Sequence, residues 1–202
     1  MKLVAIVGTN SDRSTNRKLL KFMQNHFADK ASIELLEIKN LPAFNEPEDK
    51  MAPAEVKAFS EKILAADGVI ISTPEYDHTI PAPLASALEW IAYTSRALLN
   101  KPTMIVGASL GILGTSRAQA HLRQILDAPE LKARVMPGME FFLGYSGQVL
   151  DDEDNLNNPD KVAELEEHFS EFQDFVILTN QWLKPEDIDR KKSFIWEEWL
   201  KA

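Results

Sequence analysis

Apolar positions along this chain keep two rhythms that alternate. Residues 2–7 (KLVAIV) are apolar almost without interruption, as a strand covered on both faces requires, and residues 16–27 then place Leu19, Leu20, Met23 and Phe27 on one helical stripe. The order repeats with a strand over 32–38, a helix over 53–66 buried through Val56, Phe59 and Ile63 with Gly68 expected to stop it, and a strand over 69–73. A helix with Leu84, Ala87, Leu88 and Ile91 on its face follows, then a strand over 103–107. Next come a helix carrying Ala118, Leu122, Ile125 and Leu126, closed by Pro129, and a weaker fifth strand over 134–136. The last helix opens with Asn158 as N-cap and Pro159 at its first position, and Val162, Leu165, Phe169, Phe172 and Val176 line its stripe toward Trp182. Such alternation implies right-handed crossovers. The expected fold is a doubly wound α/β domain, a five-stranded parallel sheet with helices on both faces.

In such sheets ligands bind beyond the carboxyl ends of the strands, where the strand order reverses. Three unusual loops lie there: GTNSDRSTN after the first strand, PEYDHTIP after the third and ASLGILGTSR after the fourth. The first has neither the GxGxxG of dinucleotide sites nor the GxxxxGK[ST] of nucleoside triphosphatases, so a single terminal phosphate fits it better. The hydroxyls of Thr9, Ser11, Ser14 and Thr15, the Asn16 amide, Arg13 and the open amides of the following helix are the candidate ligands. One or two such residues would suffice for a helix cap. The loop has more, and two further special loops converge on it.

Composition narrows the chemistry. At 202 residues the chain suits one domain, 1–183, followed by a tail, 184–202. A net charge of −9 argues against a nucleic-acid partner, and no apolar run is long enough for a membrane span or a signal-peptide core, so a cytoplasmic protein is expected. Without cysteine there is no thiol nucleophile, and redox chemistry would have to come from a bound cofactor. His26, His121 and His168 sit within helices and only His78 lies in a candidate loop. The DDEDN run at 151–155 lacks calcium-loop spacing and reads as a solvated turn, so no metal is expected.

On these motifs the sequence resembles the NADPH-dependent FMN reductases of flavodoxin-like fold, which include azo, quinone and chromate reductases. The family's GSxRxxSxN loop stands here as GTNSDRSTN, its PEYN as PEYD, its SIPxxLKNAIDW-like segment as TIPAPLASALEW, and its SxGxxGGxRAQxxLRxxL as SLGILGTSRAQAHLRQIL. Ser11 replaces the family's early Arg, Arg13 a usual Gly, Asp77 the Asn, and Thr115 the second Gly of a pair. The resemblance implies bound FMN, with hydride taken from NADPH or NADH and passed to free flavin, quinone or azo acceptors by alternate binding. It adds Pro74, Glu75, Tyr76, Asp77, Ser109, Gly111, Gly114 and Thr115 to the cofactor site, the two glycines so that the ring can approach the backbone. Glu75 would fix its loop or bind a neighbouring subunit. Flavin chemistry needs no protein acid or base, and none is nominated. A homodimer is also implied, with Trp90 and Tyr93 as interface anchors. The tail lies beyond the motifs, and its Ile195, Trp199 and Leu200 are expected either to dock on their own domain or to reach a partner subunit and border its crevice. A flavodoxin-type electron carrier is the alternative reading.

Overall fold

The computed structural model describes residues 1–138 and 140–183. At its centre β1 (Lys2–Val7) pairs on one side with β2 (Ser32–Glu37) and on the other with β3 (Gly68–Ser72), all parallel. β4 (Pro102–Ala108) follows β3, and β5 (Arg134–Val135) pairs with the start of β4, so the order is β2-β1-β3-β4-β5. This is the flavodoxin-like order, and its reversal lies between β1 and β3. A sixth segment absent from the sequence reading, β6 (Phe141–Leu143), also runs parallel to β4, pairing Val106 with Phe141 through Ala108 with Leu143. The fifth position of the sheet is thus held by two short strands in succession. Pro137 and Gly138 stand between them. Pro lacks the ladder N–H and Gly138 sits at φ 73°, so pairing breaks and resumes.

Strand alternation divides two cores. Leu3, Ala5 and Val7 face α1 (Thr15–His26) and α6 (Pro159–Trp182), where the rings of Phe27 and Phe169 stack 3.8 Å apart. Val4 and Ile6 face α2 (Ala54–Ala65), α3 (Ala82–Trp90) and α4 (Ser116–Leu126). Helices therefore cover both faces. The expected caps at α6 are present: Asn158 accepts from the Lys161 amide, and Pro159 opens the helix. Gly68 does not end α2. It opens β3 opposite Leu3, and a Cβ there would lie 2.9 Å from Val176 Cγ2, so its bareness lets α6 cross the strand.

Trp90 and Tyr93 are not free to anchor a partner. Trp90 is 2% exposed and its indole N–H donates to the Pro42 carbonyl, while the Tyr93 hydroxyl donates to that of Pro47. Phe44 packs edge-on against both rings, and its amide donates to Ser86. The Pro-punctuated segment after β2 is thus a strap over α3, and of the aromatic pair that reads as an interface in sequence it covers Trp90 and leaves Tyr93 half-buried. Beyond Trp90 the helix widens into a π-turn (Ile91–Ser95) closed by Arg96 in a left-handed conformation. The proposed contacts of the tail fall outside the described residues.

Candidate functional site

At the carboxyl end of β1 the chain turns through residues 8–14 into α1. Thr9 is buried, and its hydroxyl accepts from the Ser11 amide. The Ser11 hydroxyl leans on the Arg13 carbonyl, and Ser14 is the N-cap, accepting from the Arg17 amide. Asn16 is turned inward and 2% exposed. Its Nδ2 donates to the Ala108 carbonyl while its Oδ1 accepts from the Ala108 amide and the Ser72 hydroxyl. Its side chain therefore ties α1 to the ends of β3 and β4, and is spent on that joint rather than offered to a phosphate. Arg17, which sequence reasoning did not single out, forks onto Glu37 at the end of β2 and donates to the Ser11 and Asp12 carbonyls; Lys39 reaches Asp12. Glu37 raises the Arg17 pKa further above its ordinary value.

Those bonds point the loop's carbonyls toward basic side chains and leave its amides open. Among the described residues the backbone N–H groups of residues 12–16 donate to no acceptor, and the Arg13 guanidinium is exposed and without a protein partner. Together they form a concentrated set of donors at the positive end of α1.

The second loop is a tight hairpin. Tyr76 and Thr79 exchange both backbone hydrogen bonds, and Asp77 and His78 between them have φ of 50° and 67°. Two positive φ values in succession are the mark of a type I′ turn, in which Asn and Asp are tolerated far better than most residues. The Asp for Asn exchange at 77 therefore respects the backbone. Both ends of this hairpin are fastened to α4. The Glu75 carboxylate accepts from the Arg117 and Ala118 amides at 3.1 and 3.4 Å and from the Arg117 side chain at 2.6 Å, and Thr79 bonds His121. Of the two roles suggested for Glu75, the structure displays the bracing one.

The third loop, residues 109–115, is equally polarised. The Ser109 carbonyl accepts from the Ser146 amide, that of Gly111 from the Tyr145 amide and the Ser109 hydroxyl, that of Leu113 from the Ser116 amide and that of Gly114 from Gln119. The amides of residues 110–115 donate to nothing among the described residues. Gly111 has open space where a Cβ would be, as an approaching ring would need. Gly114 does not serve that purpose: at φ 55° its missing side chain would strike the Phe142 backbone at 2.6 Å, so it answers to packing against β6. Thr115 is fully buried, left-handed at φ 70°, and accepts from Gln119, so its side chain faces the interior and not the crevice. Gln119 also bonds the Phe141 carbonyl and is a second residue missed in sequence; a lone polar side chain on the buried stripe of α4 was its signal.

A profile of the family described as NADPH-dependent FMN reductase matches residues 1–148. The chain belongs to that family. It is 57% identical over 198 residues to the NADH:(hydroxy)cinnamate reductase subunit CrdA of Vibrio ruber, covering 98% of each chain, so most of the 184–202 tail is common to both. It is 41% identical over 181 residues to the NADH-dependent flavin reductase subunit 2 of Lactobacillus johnsonii, covering 87% of this chain and 97% of that one. Among solved structures it is similar to FerB, a flavoenzyme NAD(P)H:(acceptor) oxidoreductase from Paracoccus denitrificans, with a TM-score of 0.69 and 25% identity over 90% of this chain and 96% of the other. The chain is accordingly an oxidoreductase of the NAD(P)H-dependent FMN reductase family, whose members act with FMN and a nicotinamide nucleotide on small molecules.

Proposed function

We propose that the crevice between the three loops holds FMN, with its phosphate on the amides of residues 12–16 and its ring between the Tyr76 hairpin and residues 109–115. The observation that carries this reading is the pairing of two sets of unspent backbone donors, one at the head of α1 and one around Gly111, beyond the ends of β1 and β4. A helix cap uses one or two donors; here a run of amides faces a developing or fixed negative charge. Ser14, Thr15 and Arg13 supply the side-chain contacts, while Asn16, Gly114 and Thr115 shape the loops from behind. When bound, FMN would supply two-electron chemistry, accepting hydride from the nicotinamide and delivering the reducing equivalents onward. The protein's part is to fix the phosphate, present donors to the ring's polar edge and leave one side open above Gly111.

NADH is the expected donor, since both curated relatives carry it in their descriptions. Free flavins, quinones and azo compounds are the expected acceptors, bound after the oxidised nicotinamide has left, and the working unit is a homodimer. FMN-loaded protein should bleach in the visible when NADH is added anaerobically, and initial rates with both substrates varied should give parallel lines. No bleaching would favour an electron carrier, and intersecting lines a ternary complex.

A second reading rests on one specific fact: both relatives are described as subunits. In that reading the chain passes its electrons to a different polypeptide. Prompt bleaching by NADH together with slow turnover of free flavin, quinone and azo acceptors would favour it.

A further inference from the structure

Glu75 is an unusual helix cap because it comes from another loop. Thr115, the residue before α4, makes no side-chain cap bond and lies left-handed, so the open amides of Arg117 and Ala118 are met by the Glu75 carboxylate instead. One carboxylate oxygen takes those amides and the other takes the Arg117 guanidinium, and the Glu75 side chain is only 9% exposed. An acid near the crevice is thus neutralised twice, by a cation and by the positive end of a helix. Each of the two groups that it neutralises would otherwise favour negative charge in the crevice. Residues 110–115, with their unspent amides, run directly into this helix.

We propose that Glu75 is a positioning residue that also sets the charge balance beside the cofactor. It locks the Tyr76 hairpin to α4 and cancels Arg117 and the helix end, so that reduced FMN is not over-stabilised and remains a strong reductant. This rests on the FMN reading given above. The charge argument predicts its sign. Glu75→Gln keeps an oxygen for the two amides and removes the negative charge, which strengthens binding of reduced, more negative FMN relative to oxidised FMN. Arg117→Met removes the positive partner and works the other way.

The test is anaerobic titration of each FMN-free protein with oxidised and with reduced FMN, reading the ratio of the two dissociation constants, alongside a redox titration with an indicator dye. Glu75→Gln should shift the ratio toward reduced FMN by roughly three- to tenfold, as one screened charge at such range would, and raise the potential. Arg117→Met should shift both in the opposite direction, and the double variant should return close to the parent. Affinities are read rather than occupancy, so a weakened variant still reports its sign. Equal weakening of both FMN forms, or shifts of the same sign in the two single variants, would reduce Glu75 to a structural brace and overturn the proposal. A parent chain that binds neither form of FMN overturns the cofactor reading itself, and this inference with it.

Discussion

Asn16 shows how a residue chosen for one role can hold another. Its amide completes three bonds between α1 and the strand ends, and Asn16→Ala would leave the buried amide and carbonyl of Ala108 without partners. Each such loss costs about 1–3 kcal/mol, so denaturant melts should show a fall of roughly 2–4 kcal/mol. Ser14→Ala, which in the FMN-free protein removes only the cap bond from the Arg17 amide, should cost about 1 kcal/mol of stability. Two glycines, one at the end of β4 and one in the crevice loop, separate in the same way. A Cβ at Gly107 would stand 1.8 Å from Thr115 Oγ1, so Gly107→Ala should destabilise by about 1–3 kcal/mol through overpacking. At Gly111 there is nothing within 4 Å. Gly111→Ala should therefore leave stability within about 0.5 kcal/mol while weakening FMN roughly tenfold; unchanged affinity by fluorescence titration would remove Gly111 from the cofactor site.

At the scale of elements, the parallel strands, the helices and the N-cap of α6 were legible because each has a local cause: apolar period, Pro placement, an Asx cap. The loops could be located for the same reason. Which side chains of a loop face outward was not legible, since Asn16 and Gly114 take their orientation from Ala108 and Phe142, both distant in sequence, and Thr115 takes its own from a left-handed backbone that no residue type nearby announces. Strand β6 was hidden because its pairing partner lies 35 residues back, from Phe141 to Val106, and a Pro-Gly break precedes it. The acidic run after α5 (Ser146–Val149) is more ordered than its charge suggested. Asp151 accepts from the Asn155 amide and from the side chains of Asn157 and Asn155, and Lys18 and Lys21 of α1 reach Asp152 and Asp154. The Asn155 backbone bond first, then the Asn157 and Asn155 side chains, hold the Asp151 pKa below its ordinary 3.8. Its folded pKa being depressed, its contribution is full above the unfolded value and fades as pH falls through the lower folded value. Carbon-detected NMR of the carboxyl should find a midpoint under 3.8, and Asp151→Asn should flatten that part of the acid limb.

For the whole molecule, the strap over Trp90 and Tyr93 moves the question of partners to other surfaces. Leu110 and Ile112 are 73% and 68% exposed on a loop held through the carbonyls of Ser109, Gly111, Leu113 and Gly114, so their exposure belongs to a braced feature beside the crevice. If the chain works as a dimer, light scattering at micromolar concentration should report twice its 22.8 kDa mass; a single mass would leave the heteromeric reading as the one to pursue. The one-sided bonding of residues 109–115 has a further consequence, for time rather than for affinity. Amides that lack an internal acceptor and lie open to water trade their protons with solvent quickly, even beside a stable core. In the FMN-free protein, residues 12–15 and 110–113 should therefore lose their hydrogen label within the dead time of a deuterium-exchange experiment, while β1 and β4 hold theirs. Filling the crevice would slow those two segments together, so the backbone itself becomes a clock that reports when the site is occupied.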